Sequence, residues 1–328
     1  MTAAPPERLV VLVGEDVGPA NLARVRAVGP RIEVIFCPEI DAFVAAAPRA
    51  DVMFTKRLPA AAVAAAKRLR WVQAGTAGVE GMLAAGLRDR VRDGGVILTN
   101  ASGAHGVPMA EVVLAMMLAF ATGLHTLLHA QAQRRRARDE VVGLKFELEG
   151  QTLLVLGLGD IGSILARKAR LLGVRVIGIR RGSRRSPDVD EQHGPDALRD
   201  VLPRADHVAL CLPLTAETRG IIGESELRAM RPTAYIYNVG RGASIDGDVL
   251  LRALREGWIA GAGLDVTDPE PLPADSLLWD LPNVILSQHT SGSSPRNADR
   301  ITDILIDNLA RYLRGAPLHN RIDPVRGY

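Results

Sequence analysis

Gly157-Leu158-Gly159-Asp160-Ile161-Gly162 stands between the apolar run Thr152 to Leu156 and the helical pattern Ser163-Ile164-Leu165-Ala166-Arg167-Lys168-Ala169. The segment therefore reads as strand, glycine turn and helix. In such a unit Gly157 allows the tight turn, Gly159 lets the backbone approach a ligand, and Gly162 lets the helix pack on the strand. A helix N-terminus adds free N–H groups and positive dipole, which suits the phosphates of a dinucleotide, with Asp160 and Ile161 beside them. Glycine spacing alone says little in a chain with 32 glycines. A further apolar strand, Val174 to Ile179, completes the unit and makes the reading specific.

Working outward, 328 residues predict about two domains. A hydrophobic content of 47% is enough for two cores, and 40 basic against 37 acidic residues leave a net charge of +3. That imbalance is too slight to imply a nucleic-acid partner. Cys37 and Cys211 lie far apart, without metal-ligand or redox spacing, so no metal is expected and a reducing cytosol fits. Pro5, Pro6 and Arg8 interrupt the place where an apolar signal core would begin, so a cytoplasmic location is expected.

The first hundred residues alternate short apolar runs with helical patterns. Leu9 to Val13, Ile32 to Ile35, Val52 to Phe54, Trp71 to Ala74 and Val96 to Leu98 read as strands covered on both faces, as in a parallel sheet. Leu22 to Val28, Ala42 to Ala47 and the Ala-rich Ala60 to Leu69 read as helices. The turn Ala74-Gly75-Thr76-Ala77-Gly78-Val79 follows a strand's carboxyl end, where open α/β sheets bind ligands. It serves equally as a simple chain reversal.

Val107 to Leu124 is apolar for nearly the length of a membrane span. Pro108 suits a first helical turn, Glu111 lies inside, and His125 and His129 follow without a change of helical period. The prediction is a helix buried between two domains or two subunits, with no membrane. Arg134 to Arg136 and Arg138 then read as a solvated face, since no aromatics interleave with them.

From about Glu149 to His289 the alternation repeats, with strands at Val174–Ile179, His207–Leu210, Ala234–Asn238, Ala260–Asp265 and Val284–Ser287 after the first. Helices are expected at Asp196 to Leu202, Glu224 to Met230 and Asp246 to Glu256. Six strands with right-handed crossovers make a doubly wound sheet. Pro295 to Leu313 reads as a helix returning to the first domain. The expected fold class is α/β with two doubly wound parallel-sheet domains, the nucleotide-binding one of Rossmann type. A discontinuous substrate domain takes residues 1–101 and 293–328, and the dinucleotide-binding domain takes 102–292.

An acidic residue about 20 positions beyond the glycines would bind the ribose hydroxyls of NAD. Arg180 holds that place, followed by Arg181, Gly182, Ser183, Arg184 and Arg185. Guanidinium groups and a hydroxyl suit a 2′-phosphate, so NADP(H) is favoured, with NAD(H) kept as the other cofactor. Arg180 could also stack on adenine or face solvent. Three polar loops then follow three strands: Asn238-Val239-Gly240-Arg241-Gly242, Asp265 with Glu270, and Ser287-Gln288-His289-Thr290-Ser291-Gly292. An Arg, a carboxylate and a His from separate strand ends are what a catalytic site requires, although each alone could be structural.

With these residues in place, the chain resembles the D-isomer-specific 2-hydroxyacid dehydrogenase family, and among its members the glyoxylate/hydroxypyruvate reductases. The likeness runs from Ala77-Gly78-Val79 through the glycine turn, Leu212-Pro213-Leu214-Thr215 with Thr218, Val239-Gly240-Arg241-Gly242, Gly263-Leu264-Asp265-Val266, Glu270-Pro271 and His289-Thr290-Ser291-Gly292 to Asn308-Leu309. The resemblance implies Arg241, Glu270 and His289 as the catalytic trio, with Asp265 helping to hold the nicotinamide amide and tune the site. It implies Leu212, Pro213, Thr218, Val239, Ser291 and Gly292 as further cofactor contacts, together with His289. It also implies that Ala77, Gly78 and Val79, with Arg241, bind the substrate carboxylate, and that the protein is a homodimer. Departures are the missing acidic residue and Phe146 where Trp is frequent. No regulatory domain after Tyr328 and no long insertion of the formate dehydrogenases is expected.

The chemistry follows from the residue types. Arg241 would hold the carboxylate and polarise the carbonyl of a 2-oxo acid. Protonated His289 would give its proton to the carbonyl oxygen, and in reverse would act as base. Glu270, hydrogen-bonded to His289, would favour the imidazolium. Two other functions stay open at this point: a nucleotide-sensing corepressor-like protein, and a phosphite or formate oxidiser of the same family.

Overall fold

A computed structural model describes residues 8–323. The expectations about Pro5, Pro6 and the sequence around Tyr328 lie outside the described residues. The chain divides into two compact units, 1–105 with 294–328, and 106–293. The first break thus falls after His105, at the start of a helix, where the sequence reading placed it after Ala101.

In the first unit β1 (Leu9–Val13), β2 (Ile32–Phe36), β3 (Val52–Thr55), β4 (Trp71–Ala74) and β5 (Ile97–Thr99) form a parallel sheet in the order β2-β1-β3-β4-β5. Leu12, Met53, Val72 and Leu98 are buried on one face. Leu9, Val11, Phe54 and Trp71 are buried on the other, where the returning helix Asn297–Leu313 lays Ile301, Leu305 and Leu309 against them. Burial on both faces is why these strands are apolar at successive positions. Asn308 fastens the helix by donating to Gln73 Oε1 at 3.0 Å, and Tyr312 stacks on Trp71 at 5.7 Å.

The helix expected over Ala60 to Leu69 ends at Ala65. Ala66 leaves the helical region, with φ −84 and ψ 79, and Arg90 donates to the carbonyls of Val63, Ala66 and Leu69 at 3.1–3.3 Å. A distant guanidinium therefore takes over carbonyls that alanine's helix propensity would have spent within the helix.

The apolar stretch is a correction. It forms a helix Gly106–Thr122, breaks at Gly123, and continues as Leu124–Ala132 at 76° to it. Gly123 has φ 67, and a Cβ there would stand 2.5 Å from Val141 Cγ1, so both conformation and packing require glycine. No single helix among the described residues is long and apolar enough to cross a membrane, although the bent pair reaches that length and composition together. Ala110, Val113, Met117 and Phe120 are buried with Leu153, Val155 and Tyr237 in the core of the second unit.

That unit holds a seven-stranded parallel sheet: β6 (Thr152–Leu156), β7 (Arg175–Ile179), β8 (Glu191–His193), β9 (His207–Leu210), β10 (Tyr235–Asn238), β11 (Gly261–Leu264) and β12 (Val284–Leu286). The order is β12-β11-β10-β9-β6-β7-β8, so the direction of winding reverses between β6 and β9. β8 is the strand beyond the expected six. Glu-Gln-His at a sheet edge carries no apolar run by which to find it. The helix expected at Asp196 to Leu202 is interrupted by tighter turns at Pro195–Ala197 and Leu202–Arg204, each containing a proline without an N–H. Phe146 stacks on Tyr235 at 5.5 Å.

Candidate active site and cofactor cradle

β6 ends at Leu156, and the chain turns through Gly157 with φ 98. A Cβ at Gly157 would stand 2.8 Å from the Cys211 carbonyl oxygen, and one at Gly162 would stand 1.9 Å from the Gly157 carbonyl oxygen. Neither position can carry a side chain without moving backbone. At Gly159, the residue before the helix Asp160–Arg170, a Cβ would meet nothing within 4 Å. The turn thus closes on itself at its ends and leaves its middle open, as a cradle for phosphates requires.

Neighbouring loops line this edge of the sheet. Thr218 donates to the Pro213 carbonyl at 2.6 Å and accepts from the Thr215 N–H at 2.7 Å, which fixes the loop after β9 that contains Leu212. A Cβ at Gly240 would stand 2.6 Å from the Leu212 carbonyl oxygen, so this loop touches the one after β10 that contains Val239. The half-buried Cys211 stands there, and desolvation pushes its thiol up to about 12, so it is inert at neutral pH.

Beyond β7, a crevice of about 650 Å³ is lined by Arg180, Arg181, Gly182, Ser183 and Arg185, with β8 as its other wall. Its carboxylates are already engaged. Asp190 accepts from the Val176 N–H at 2.8 Å and pairs with Arg170 at 3.2 Å. Glu191 pairs with Arg204 at 2.7 Å and with Arg175, and the hydrogen bonds from Arg204 and His193 hold its carboxyl down to about 2. Among the described residues no ion pair engages Arg180 or Arg185, which leaves the crevice cationic.

At the other end of the sheet, Asp265 follows β11 and is 2% exposed. Its Oδ1 accepts from Ser287 Oγ at 2.7 Å and from the N–H groups of Thr290 and Ser291 at 2.9 and 3.0 Å, and its Oδ2 accepts from Ser291 Oγ. The His289 N–H donates to the Asp265 carbonyl at 2.6 Å. Gln288 and His289 both lie in the left-handed region, with φ 52 and 56. That conformation is costly for side-chain-bearing residues and persists where surrounding contacts over-determine it. One buried carboxylate therefore shapes the loop that presents His289. Its oxygens serve this loop, a task the sequence reading did not assign, and Ser287 and Thr290, named there only as members of a polar loop, are the residues that bind it.

His289 Nδ1 is hydrogen-bonded to Glu270 Oε1, and both line a pocket of about 220 Å³ with Asp265, Leu272, Trp279 and Leu286. His289 and Glu270 are thus brought together. Arg241 stands on the loop after β10, where Asn238 donates to its carbonyl at 2.9 Å and its own Nη1 donates to the Gly240 carbonyl at 2.9 Å. It does not line the 220 Å³ pocket. A Cβ at Gly242 would stand 2.0 Å from the Thr267 carbonyl oxygen, so the loops carrying Arg241 and Glu270 are in direct backbone contact. In the first unit, Ala77 to Val79 follow β4, with the Ala77 carbonyl accepting from Asn100 at 2.7 Å and the Gly78 carbonyl from Thr76 Oγ1 at 2.7 Å. Among the described residues no group of three or more His, Cys, Asp or Glu could hold a metal ion.

The family profile for the NAD binding domain of D-isomer specific 2-hydroxyacid dehydrogenases matches residues 114–291. A glyoxylate reductase of Korarchaeum cryptofilum is 35% identical over 228 residues, 67% of each chain. The crystal structure of a D-isomer specific 2-hydroxyacid dehydrogenase family protein from Aeromonas salmonicida superposes with TM-score 0.82 at 31% identity, covering 97% of this chain and 100% of that one. An NADPH-dependent glyoxylate/hydroxypyruvate reductase from Sinorhizobium meliloti, in complex with NADP and sulfate, superposes with TM-score 0.81 at 27% identity, covering 98% and 100%. The chain belongs to the D-isomer specific 2-hydroxyacid dehydrogenase family, NAD(P)-dependent oxidoreductases that interconvert 2-hydroxy and 2-oxo acids.

Proposed function

We propose that the protein is an NADPH-dependent reductase of small 2-oxo acids, glyoxylate and hydroxypyruvate among them, with His289 as proton donor. The observation that carries this reading is the His289–Glu270 pair, presented by a loop built on buried Asp265, in the same sheet as a dinucleotide glycine turn. When bound, the nicotinamide supplies the hydride. Gly157, Gly159, Asp160, Ile161 and Gly162 receive the phosphates, and Arg180, Arg181 and Ser183 receive a 2′-phosphate in the cationic crevice. The Sinorhizobium relative's complex with NADP supports that choice of cofactor. Leu212, Pro213, Thr218, Val239, Asp265, Ser291 and Gly292 complete the cofactor's surroundings.

Ala77, Gly78 and Val79 offer backbone groups to the substrate carboxylate, and Arg241 offers paired donors to carboxylate and carbonyl. Charge grows on the carbonyl oxygen as the carbon is reduced, and the guanidinium stabilises it there. Protonated His289 then releases its proton from Nε2 to that oxygen, while Glu270, bonded at Nδ1, fixes the orientation of the ring. In the oxidising direction neutral Nε2 takes the hydroxyl proton.

Following absorbance of NADPH and NADH with glyoxylate, hydroxypyruvate and longer 2-oxo acids tests the reading. Oxidation of neither cofactor by any of them would remove it; faster oxidation of NADH would overturn the cofactor choice alone. Both cysteines are unpaired, which fits a cytosolic enzyme. The exposed Leu118, Leu124, Leu127, Leu128 and Val142 lie on consecutive helical segments of the second unit, with exposed Leu144 on the turn that follows, and offer apolar surface suited to a second copy of this chain. Leu127→Glu with Leu128→Glu is expected to convert a dimer to a monomer in sedimentation velocity, and an unchanged mass would assign that face another role.

A further inference from the structure

We propose that Gln192 sets the preference between the two nicotinamide dinucleotides by holding the arginine loop in the form that receives a 2′-phosphate. The inference rests on the NADPH reading above. No helix or strand covers residues 180–190, between β7 and β8. Four arginines, Arg180, Arg181, Arg184 and Arg185, fall within six positions there, interrupted only by Gly182 and Ser183. Like charges at this density drive such a segment apart, and a loop with glycine and serine has the freedom to spread.

Gln192 opposes this from the facing strand. It pairs in register with Gly178 of β7, so its backbone position is fixed by the sheet. Its Oε1 accepts the Ser186 N–H at 2.8 Å, and its Nε2 donates to the Arg184 carbonyl at 3.0 Å. One terminal group thus closes the loop at two points two residues apart. Only a side-chain amide offers an acceptor and a donor side by side. A carboxylate would set one oxygen against the Arg184 carbonyl, and an apolar side chain would leave both backbone groups unmet. Gln192 also lines the crevice itself, opposite Arg180, Arg181, Ser183 and Arg185.

The neighbouring carboxylates of β8 and its approach, Asp190 and Glu191, are tied to Arg170, Arg175 and Arg204. The strand therefore offers the crevice a neutral clamp with its acidic groups already compensated. A loop ordered before binding spares the ligand the loss of freedom it would otherwise have to offset. That gain goes only to a ligand that uses the loop. NADPH does so through its 2′-phosphate; NADH does not. Gln192 is accordingly a positioning residue, acting through the loop's backbone.

The test is titration calorimetry of the full chain with NADPH, NADH and adenosine 2′,5′-bisphosphate, beside steady-state kinetics. Gln192→Ala removes two neutral hydrogen bonds and is expected to weaken NADPH and adenosine 2′,5′-bisphosphate about tenfold. Binding of NADH and kcat at saturating NADPH stay at the wild-type value. Gln192→Glu keeps the length and the Ser186 acceptor but loses the donor and adds a charge, so it is expected to weaken NADPH further and still spare NADH. In an Arg180→Ala background, Gln192→Ala adds less than it does alone, because both act on one contact. Equal weakening of both dinucleotides, or no change in either, overturns the role of Gln192 while a wild-type preference for NADPH stands. Tighter wild-type binding of NADH overturns the cofactor reading and this inference with it.

Discussion

On the proposed function, the two ends of the second unit's sheet recognise different things by different means. At the β11–β12 end a single carboxylate, Asp265, is buried to 2% exposure and collects four hydrogen bonds from one loop, so His289 is placed by desolvated, directional contacts. At the β7–β8 end the groups offered are solvent-facing arginines on a loop tied to Gln192, and the carboxylates around them are neutralised: Glu191 by Arg175 and Arg204, Asp190 by Arg170. Proton transfer depends on fractions of an ångström, and buried bonds supply that. Holding a phosphate depends on charge, which a water-exposed cluster supplies and salt can screen. The lesson is that the reactive end should fail abruptly when altered and the phosphate end gradually.

The largest effect expected is at the reactive end. His289→Gln should lower kcat by about 10²–10⁴, the range of general acid catalysis, with KM for NADPH unmoved; a kcat near wild type would take the proton-donor role from His289. Asp265→Ala leaves Ser287, Thr290 and Ser291 without their buried acceptor, at roughly 1–3 kcal/mol for an unsatisfied group. Both kcat and Tm should drop, and a stable variant with full kcat would show that the loop holds its form unaided. At the phosphate end, Arg180→Ala should raise KM for NADPH roughly tenfold to a hundredfold, the worth of a charged hydrogen bond, with kcat intact. That loss should shrink at high salt, and a salt-independent loss would blur the distinction between the two ends.

The effect that spares catalysis altogether comes from the middle of the sheet, which belongs to neither end. His207 is buried between Gln151 and Tyr237, and burial pushes its imidazole down to about 4. The unfolded chain, with an ordinary histidine, binds the proton first as pH falls. Stability is thus fully present above about pH 6.5 and declines by up to about 1.4 kcal/mol per pH unit towards pH 4, where the slope ends. Denaturant unfolding across that range measures it. His207→Gln should flatten the slope without moving kcat or the cofactor preference, and an unchanged slope would assign the acid sensitivity elsewhere.

Much of this architecture was legible in the sequence because its physics is local. Leu9–Val13, Trp71–Ala74, Thr152–Leu156 and His207–Leu210 are strands at the residues where continuous apolar runs placed them, and Gly157 and Gly162 sit where any Cβ would collide with backbone. What escaped depends on distant partners or on polar residues. β8 has no apolar run; it is a strand because β7 offers it an edge. Arg90 shortens the Ala-rich helix from another segment, and the glycine at the break, Gly123, is required by Val141, a residue no helical period could reveal. In the site, Arg, Glu and His could be nominated by type and position at strand ends. The duties of Asp265 and Gln192 could not, because each is defined by the backbone groups it meets across a loop.

The helix Asn297–Leu313 belongs to the first unit but follows the whole of the second in the chain. During synthesis, residues 106–293 leave the ribosome before it does, so the inserted unit can complete its core while Leu9, Val11, Phe54 and Trp71 still face water on one side of their sheet. The order of birth is thereby imposed by topology: the half that carries the glycine turn matures first, and the half that began the chain is sealed last.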